Sequence, residues 1–188
     1  MEELLLYHVG FDEIKRPDIK LGRKNADFGQ GFYTSQDKEF SERWARSRKG
    51  LKTILNAYTL SLDGLKIKRF ERDEEWYDYI YRNRNGYSDA FIDYDVIIGP
   101  IASDTIYDTW GVLTSGILDR EKSLEVLKAG KFYDQTVIKT EKAAKNLLWI
   151  YSRVIEEVEI ERSRLSVRQE EEEFQSVMAK IVGNIIED

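Results

Sequence analysis

The segment KNADFGQGFYTSQD, residues 24–37, constrains the chain more than any other. Gly29 and Gly31 keep a turn open around Phe28, Phe32 and Tyr33, and the polar run behind them reads as a helix start. One explanation is a hairpin whose aromatic rings face the core. The other is a ligand lying against an exposed ring.

The surrounding stretches mix two periods. LLLYHVG is a short apolar run ending at Gly10 and fits a buried strand; the next seventeen residues, broken by Pro17 and Gly22, fit a loop. GQGFYTS follows as a strand, and SQDKEFSERWARSR as a helix capped by Ser35 with Phe40, Trp44 and Ala45 on one face. KTILNAYTLSLDG and LKIKRFE predict two strands joined by the hairpin-type dipeptide Asp63-Gly64. Asp73 caps a second helix, EEWYDYIYRNR, whose apolar face holds Trp76, Tyr77, Ile80 and Tyr81. YDVIIGP is a strand stopped by Gly99-Pro100, and residues 101–118 fit helix in part. DREKSLEVLKAGK is a helix with Leu124 and Leu127 inward and Gly130 as its stop. YDQTVIKT is a strand, and Thr140 caps EKAAKNLL. WIYSRVIEEVEIE alternates at Ile150, Ser152 and Val154, then at Val158 and Ile160, as a strand does. Strands and helices without strict alternation predict an α+β fold.

At 188 residues the chain fits one ordinary domain with an appendage. It has no cysteine and one histidine, His8, so disulfides, thiol nucleophiles and a classical zinc cluster are not expected. No run of 18 apolar residues predicts a membrane helix. MEELLLYHVG lacks a basic stretch ahead of its apolar run, so no signal peptide and a cytoplasmic address are expected. The net charge of −6 is uneven: residues 151–188 hold ten carboxylates against five bases. The body is near neutral and does not read as a nucleic-acid surface. Within the acidic tail, Phe174, Val177, Met178, Ile181, Val182 and Ile185 fall at helical spacing. That helix packs on its own domain or is offered to a partner chain. The expected division is residues 1–162 as the domain and 163–188 as the tail.

Three places combine a polar or aromatic group with a strand edge or tight turn: His8, Tyr33 and Gln135. Taken singly, each has an ordinary explanation in a structural histidine, a hairpin turn or a backbone-bonding glutamine. Their order is more telling. LYH, then DFGQGFYTS, then a helix containing WA, resembles the ADP-ribosyltransferase fold, and more closely the bacterial domain of unknown function 3990 family assigned to that superfamily. The likeness continues through NRNGY, YDVIIGPIASD and YDQTVIKTEKA, covering about residues 4–150.

The resemblance implies a split pair of small antiparallel sheets with NAD in the cleft between them. It assigns His8 to the ribose and nicotinamide-side backbone and Tyr33 to stacking on nicotinamide. Gly29 and Gly31 would admit close backbone approach, and Thr34 would extend the polar lining. Gln135 occupies the position where the best-known branch carries glutamate. Glutamine can bond ribose hydroxyls but offers no negative charge to a cationic sugar. Asp104, in GPIASD, is the preferred source of such a field, with Asp134 and Asp27 as alternatives; turn or cap formation is the ordinary role of each. Arg84 is assigned to a pyrophosphate, or to an ordinary surface position.

The implied activity is NAD-dependent ADP-ribosyl transfer to an intracellular macromolecule. The superfamily's habits add the toxin of a toxin–antitoxin or phage-defence locus, with an antitoxin partner. The competing expectations are a catalytically weak nucleotide-binding module and an interaction protein that binds through its acidic tail.

Overall fold

The computed structural model describes residues 2–106, 116 and 118–183. The elements run β1 (Glu3–Gly10), a short 3-10 turn (Ile19–Leu21), β2 (Phe32–Thr34), α1 (Lys38–Glu42), β3 (Thr53–Ser61) and β4 (Ile67–Arg69). They continue as α2 (Glu74–Arg84), β5 (Val96–Pro100), α3 (Ser103–Ile106), α4 (Arg120–Lys128), β6 (Asp134–Ile138), α5 (Glu141–Lys145), β7 (Leu147–Ile155) and α6 (Glu157–Gly183). The fold is α+β. Asp73, Asp119 and Thr140 each accept a backbone N–H at the start of a helix. At α1 the cap is Asp37, accepting from Phe40 N at 3.0 Å, and not Ser35. Ser35 instead sits in a bridge with Tyr7 and donates its hydroxyl to the Asp134 carbonyl.

Two sheets form, in the orders β1-β3-β7 and β2-β6-β5-β4. The first is antiparallel throughout. The second is mixed, because β4 runs parallel to β5, so the expectation of two purely antiparallel sheets holds for one of them. The same feature corrects the Asp63-Gly64 hairpin. Gly64 does adopt φ +70° in a turn, but the chain leaves β3 there and enters the other sheet. A dipeptide fixes local backbone shape and not which strand is the next partner.

Leu4, Leu6, Tyr58 and Leu60 from the first sheet pack with Phe32, Val96, Ile98 and Ile138 from the second. On the far side, Ile97 and Val137 meet Phe28, Trp76, Tyr79 and Ile80, mostly from α2. Alternate residues of β5 therefore enter two cores, which explains why VIIGP is buried at every position. The inward face of α2 holds Tyr79 where Tyr81 was expected; Tyr81 is exposed.

The C-terminal segment departs furthest from the sequence reading. The strand alternation stops at Ile155, and Val158 and Ile160 are helical. Ile160 is buried with Ala45, Leu55 and Ile155, while the Glu159 carboxylate accepts the Glu156 N–H at 3.0 Å. Helix α6 crosses the expected boundary at residue 162 without a break. Phe174 and Ile181 then pack on Val126 of α4, so this helix lies on its own domain. Val177 is exposed, and Ile185 lies outside the described residues. Among the described residues, no helix is long and apolar enough to cross a membrane.

Candidate functional site

Among the described residues, the backbones of the two sheets are joined at a bridge between Tyr7 and Ser35. Tyr7 N donates to Ser35 O at 2.8 Å and Ser35 N donates to Tyr7 O at 3.0 Å. Around this seam lies a cleft of about 790 Å³, within the usual range for small-molecule sites. His8, Tyr33, Thr34, Gln135, Arg84 and Asp104 all line it.

Tyr33 is held by the turn it leaves. Its hydroxyl donates to Gly29 O at 2.8 Å and accepts from Phe28 N at 2.9 Å, so the ring folds back across its own loop. Burial, with the Asp27 charge behind it, pushes the phenol far above its ordinary range and keeps it neutral. Phe28 is fully buried and Phe32 faces the core between the sheets, so both anchor the turn. The loop is pinned from behind as well. Lys139 donates to the Phe28 carbonyl and pairs with Asp89 at 2.7 Å, and Tyr79 donates to Asp89 at 2.9 Å.

His8 donates from Nδ1 to the Tyr33 carbonyl at 2.8 Å, which fixes the neutral tautomer and leaves Nε2 as an acceptor. Burial lowers its pKa, against the pull of that backbone bond. A folded-state pKa below 6.5 means the neutral ring is favoured by the fold; its contribution is complete above pH 6.5 and is lost as pH falls towards the folded value. The wild type should therefore lose stability as pH falls below 6.5. Chemical denaturation of His8→Gln across that range should show a flatter profile.

Gln135 lies on β6 opposite Gly99 and is 7% exposed. Its Nε2 is buried with no hydrogen-bond partner among the described residues. A buried amide left unpaired costs roughly 1–3 kcal/mol, so a group that completes it is expected. Thr34 lines the same wall, with its hydroxyl donated to Thr136 O at 2.7 Å.

Arg84, at the end of α2, is not a free cation. It donates to Asp27 at 2.8 Å, to both oxygens of Asp104 at 2.7 and 3.0 Å, and to Thr105 Oγ1 at 2.7 Å. Burial alone would lower its pKa, but the two carboxylates raise it beyond its ordinary value. The pyrophosphate role expected for Arg84 is therefore taken by an internal ion triad, and the field expected from Asp104 or Asp27 is largely cancelled by the same cation. Asp134, the third aspartate considered, is not among the residues lining the cleft.

Nor do Gly29 and Gly31 line it. A Cβ on Gly31 would sit 2.6 Å from Val137 Cγ1 and 2.7 Å from Ile138 O, and one on Gly29 would sit 2.9 Å from Asp89 and Lys139, where φ is already +71°. Both glycines answer to the protein's own packing, not to a ligand's approach. Gly31→Ala should therefore destabilise the fold by about 1–3 kcal/mol in chemical denaturation while leaving ligand affinity of the folded fraction unchanged.

Sequence reasoning missed part of the lining. Arg23 is exposed at the cleft, and among the described residues it makes no ion pair. Tyr7, Phe40, Ser41 and Trp44 also line the cleft. The available signal was the basic Arg23 just ahead of the glycine turn and the Phe40/Trp44 spacing. Among the described residues no carboxylate or histidine group has a metal-holding arrangement.

The fold and site define an α+β protein in which two small sheets meet at a ligand-sized cleft walled by aromatic and amide groups. The chain belongs to the family described as protein of unknown function (DUF3990), whose model matches residues 4–149. No curated protein and no solved structure matches it.

Proposed function

We propose that the protein binds NAD in this cleft and acts as an ADP-ribosyltransferase of the split-sheet type on an intracellular macromolecule. The observation that carries this reading is the convergence of His8, Tyr33 and Gln135 on one cleft, with the Gln135 amide nitrogen buried and unpartnered among the described residues. The Tyr33 ring supplies a face for nicotinamide, His8 Nε2 accepts from a ribose hydroxyl, and Gln135 bonds the sugar on the side that becomes cationic. Arg23 takes the pyrophosphate in place of Arg84.

In the reaction the bond between ribose C1′ and the pyridine nitrogen breaks, and its electron pair leaves with neutral nicotinamide. The acceptor's nucleophile bonds to C1′ and its proton passes to solvent. The protein's part is orientation of the leaving ring and of the sugar. A neutral phenol and a glutamine cannot take that proton.

A second reading, a catalytically weak NAD-binding module, is favoured by one observation. Asp27 and Asp104 are the carboxylates of the lining, and Arg84 holds both. Labelled NAD incubated with the protein and a cell lysate separates the two. Transfer should leave label on macromolecules and release nicotinamide, and Tyr33→Ala should reduce both by about 100-fold or more. A rise in Tm with NAD and no nicotinamide release supports the module; neither effect defeats both readings. Nuclease and protease digestion of the labelled fraction assigns the acceptor class. The toxin role, with an antitoxin partner, predicts growth arrest on expression in a bacterial host, relieved by His8→Ala.

A further inference from the structure

The first glutamate of the run EEEE is not part of a solvated acidic face. Glu170 stands four residues before Phe174 and shares the buried stripe of α6 with Phe174 and Ile181. Its carboxylate pairs with Arg43 at 2.7 Å and Lys131 at 2.6 Å and accepts from the Tyr133 hydroxyl at 3.0 Å. Burial works to raise its pKa, but those three donors overcome it and hold the group ionised.

The partners of Glu170 lead directly to the cleft. Arg43 is the C-terminal cap of α1, and its guanidinium lies 5.2 Å from the centre of the Tyr133 ring. The Tyr133 ring stacks on Phe40 at 4.3 Å, and Phe40 meets Trp44 edge to face at 6.0 Å. Phe40, Ser41 and Trp44 line the same cleft as Tyr33 and His8. Helix α1 spans only Lys38–Glu42, too short to hold its own geometry in water, so its position depends on what it packs against.

We infer that Glu170 is a positioning residue for the cleft. It fixes Arg43 and Tyr133, and through them it sets the α1 wall against which the ligand lies. The C-terminal helix is thus a brace behind the binding site, and displacing it would loosen that wall without touching His8, Tyr33 or Gln135. This rests on the NAD reading for the ligand's identity, but the mechanical link can be tested without any ligand.

Amide hydrogen exchange of the full chain should be measured for the wild type, Glu170→Gln and the control Glu172→Gln, whose side chain is exposed. In Glu170→Gln the amides of residues 40–45 should exchange at least about tenfold faster relative to those of β3, with no such change in Glu172→Gln. Calorimetric titration with NAD should show a Kd raised about tenfold in Glu170→Gln and an unaltered Kd in the control. Equal acceleration across α1 and β3, or none, overturns the inference. Faster exchange in α1 with an unchanged Kd also overturns it, since the wall would move without consequence for the ligand. If wild-type protein does not bind NAD at all, the NAD reading fails; the brace then stands or falls on exchange alone.

Discussion

Arg84→Met should cost the fold about 3–5 kcal/mol, the usual consequence of removing one member of a buried ion cluster. For a chain of this size that corresponds to a fall in Tm of roughly 6–20 °C. Asp104 is 1% exposed at its side chain and Asp27 9%, so neither carboxylate can recover its lost partner from bulk water. The loss would spread along the cleft. Asn83, the neighbouring residue of α2, donates to the Asp27 carbonyl at 2.9 Å, and the chain runs from Asp27 straight into the turn that carries Tyr33. Replacing Asp27 and Asp104 by asparagine in the Arg84→Met background should restore a large part of the stability, because no unpaired charge then remains. Denaturant midpoints of the single and triple variants measure this. A loss below about 1 kcal/mol in Arg84→Met would mean that the triad is solvated and that Arg84 is available to a ligand after all.

Gln135 should show the opposite sign. Gln135→Leu removes a buried amide nitrogen that lacks a partner among the described residues and should stabilise the unliganded protein by about 1–3 kcal/mol. The same change should abolish NAD binding. A residue whose removal strengthens the fold and destroys the ligand response is held for function and not for stability. Gln135→Glu probes the chemistry. A carboxylate there would face the sugar as positive charge develops and should raise the rate of nicotinamide release by about tenfold to a hundredfold, equivalent to roughly 1.4–2.8 kcal/mol of barrier. Under the binding-module reading this variant should gain turnover that the wild type lacks. If Gln135→Leu binds NAD as the wild type does, the cleft is not the site.

Much of the local structure was legible beforehand. Strands at Glu3–Gly10, Phe32–Thr34, Val96–Pro100 and Asp134–Ile138 stand where apolar runs and turn residues put them, and Asp73 and Thr140 cap the helices that they precede. These are short-range preferences, set within a turn or two of backbone. The cleft residues His8, Tyr33 and Gln135 were also legible, through the order of their motifs. The misreadings share a different origin. Asp63-Gly64 makes its turn, but the partner of β4 lies on β5, some thirty residues further along the chain. Arg84 resembles a surface cation until Asp27 and Asp104 are brought to it.

The sequence by itself determined most strands and helices up to Ile155, the α+β class and the family to which residues 4–149 belong. Periodicity, caps and glycine turns act locally and are written in adjacent residues. The tertiary structure alone decided which charges are already spent. It neutralises Arg84 against two aspartates, buries Glu170 out of an acidic run, and leaves the Gln135 amide without a partner among the described residues. The free energy of a charge or an amide depends on its distance to groups far away in the chain, and only folding sets that distance.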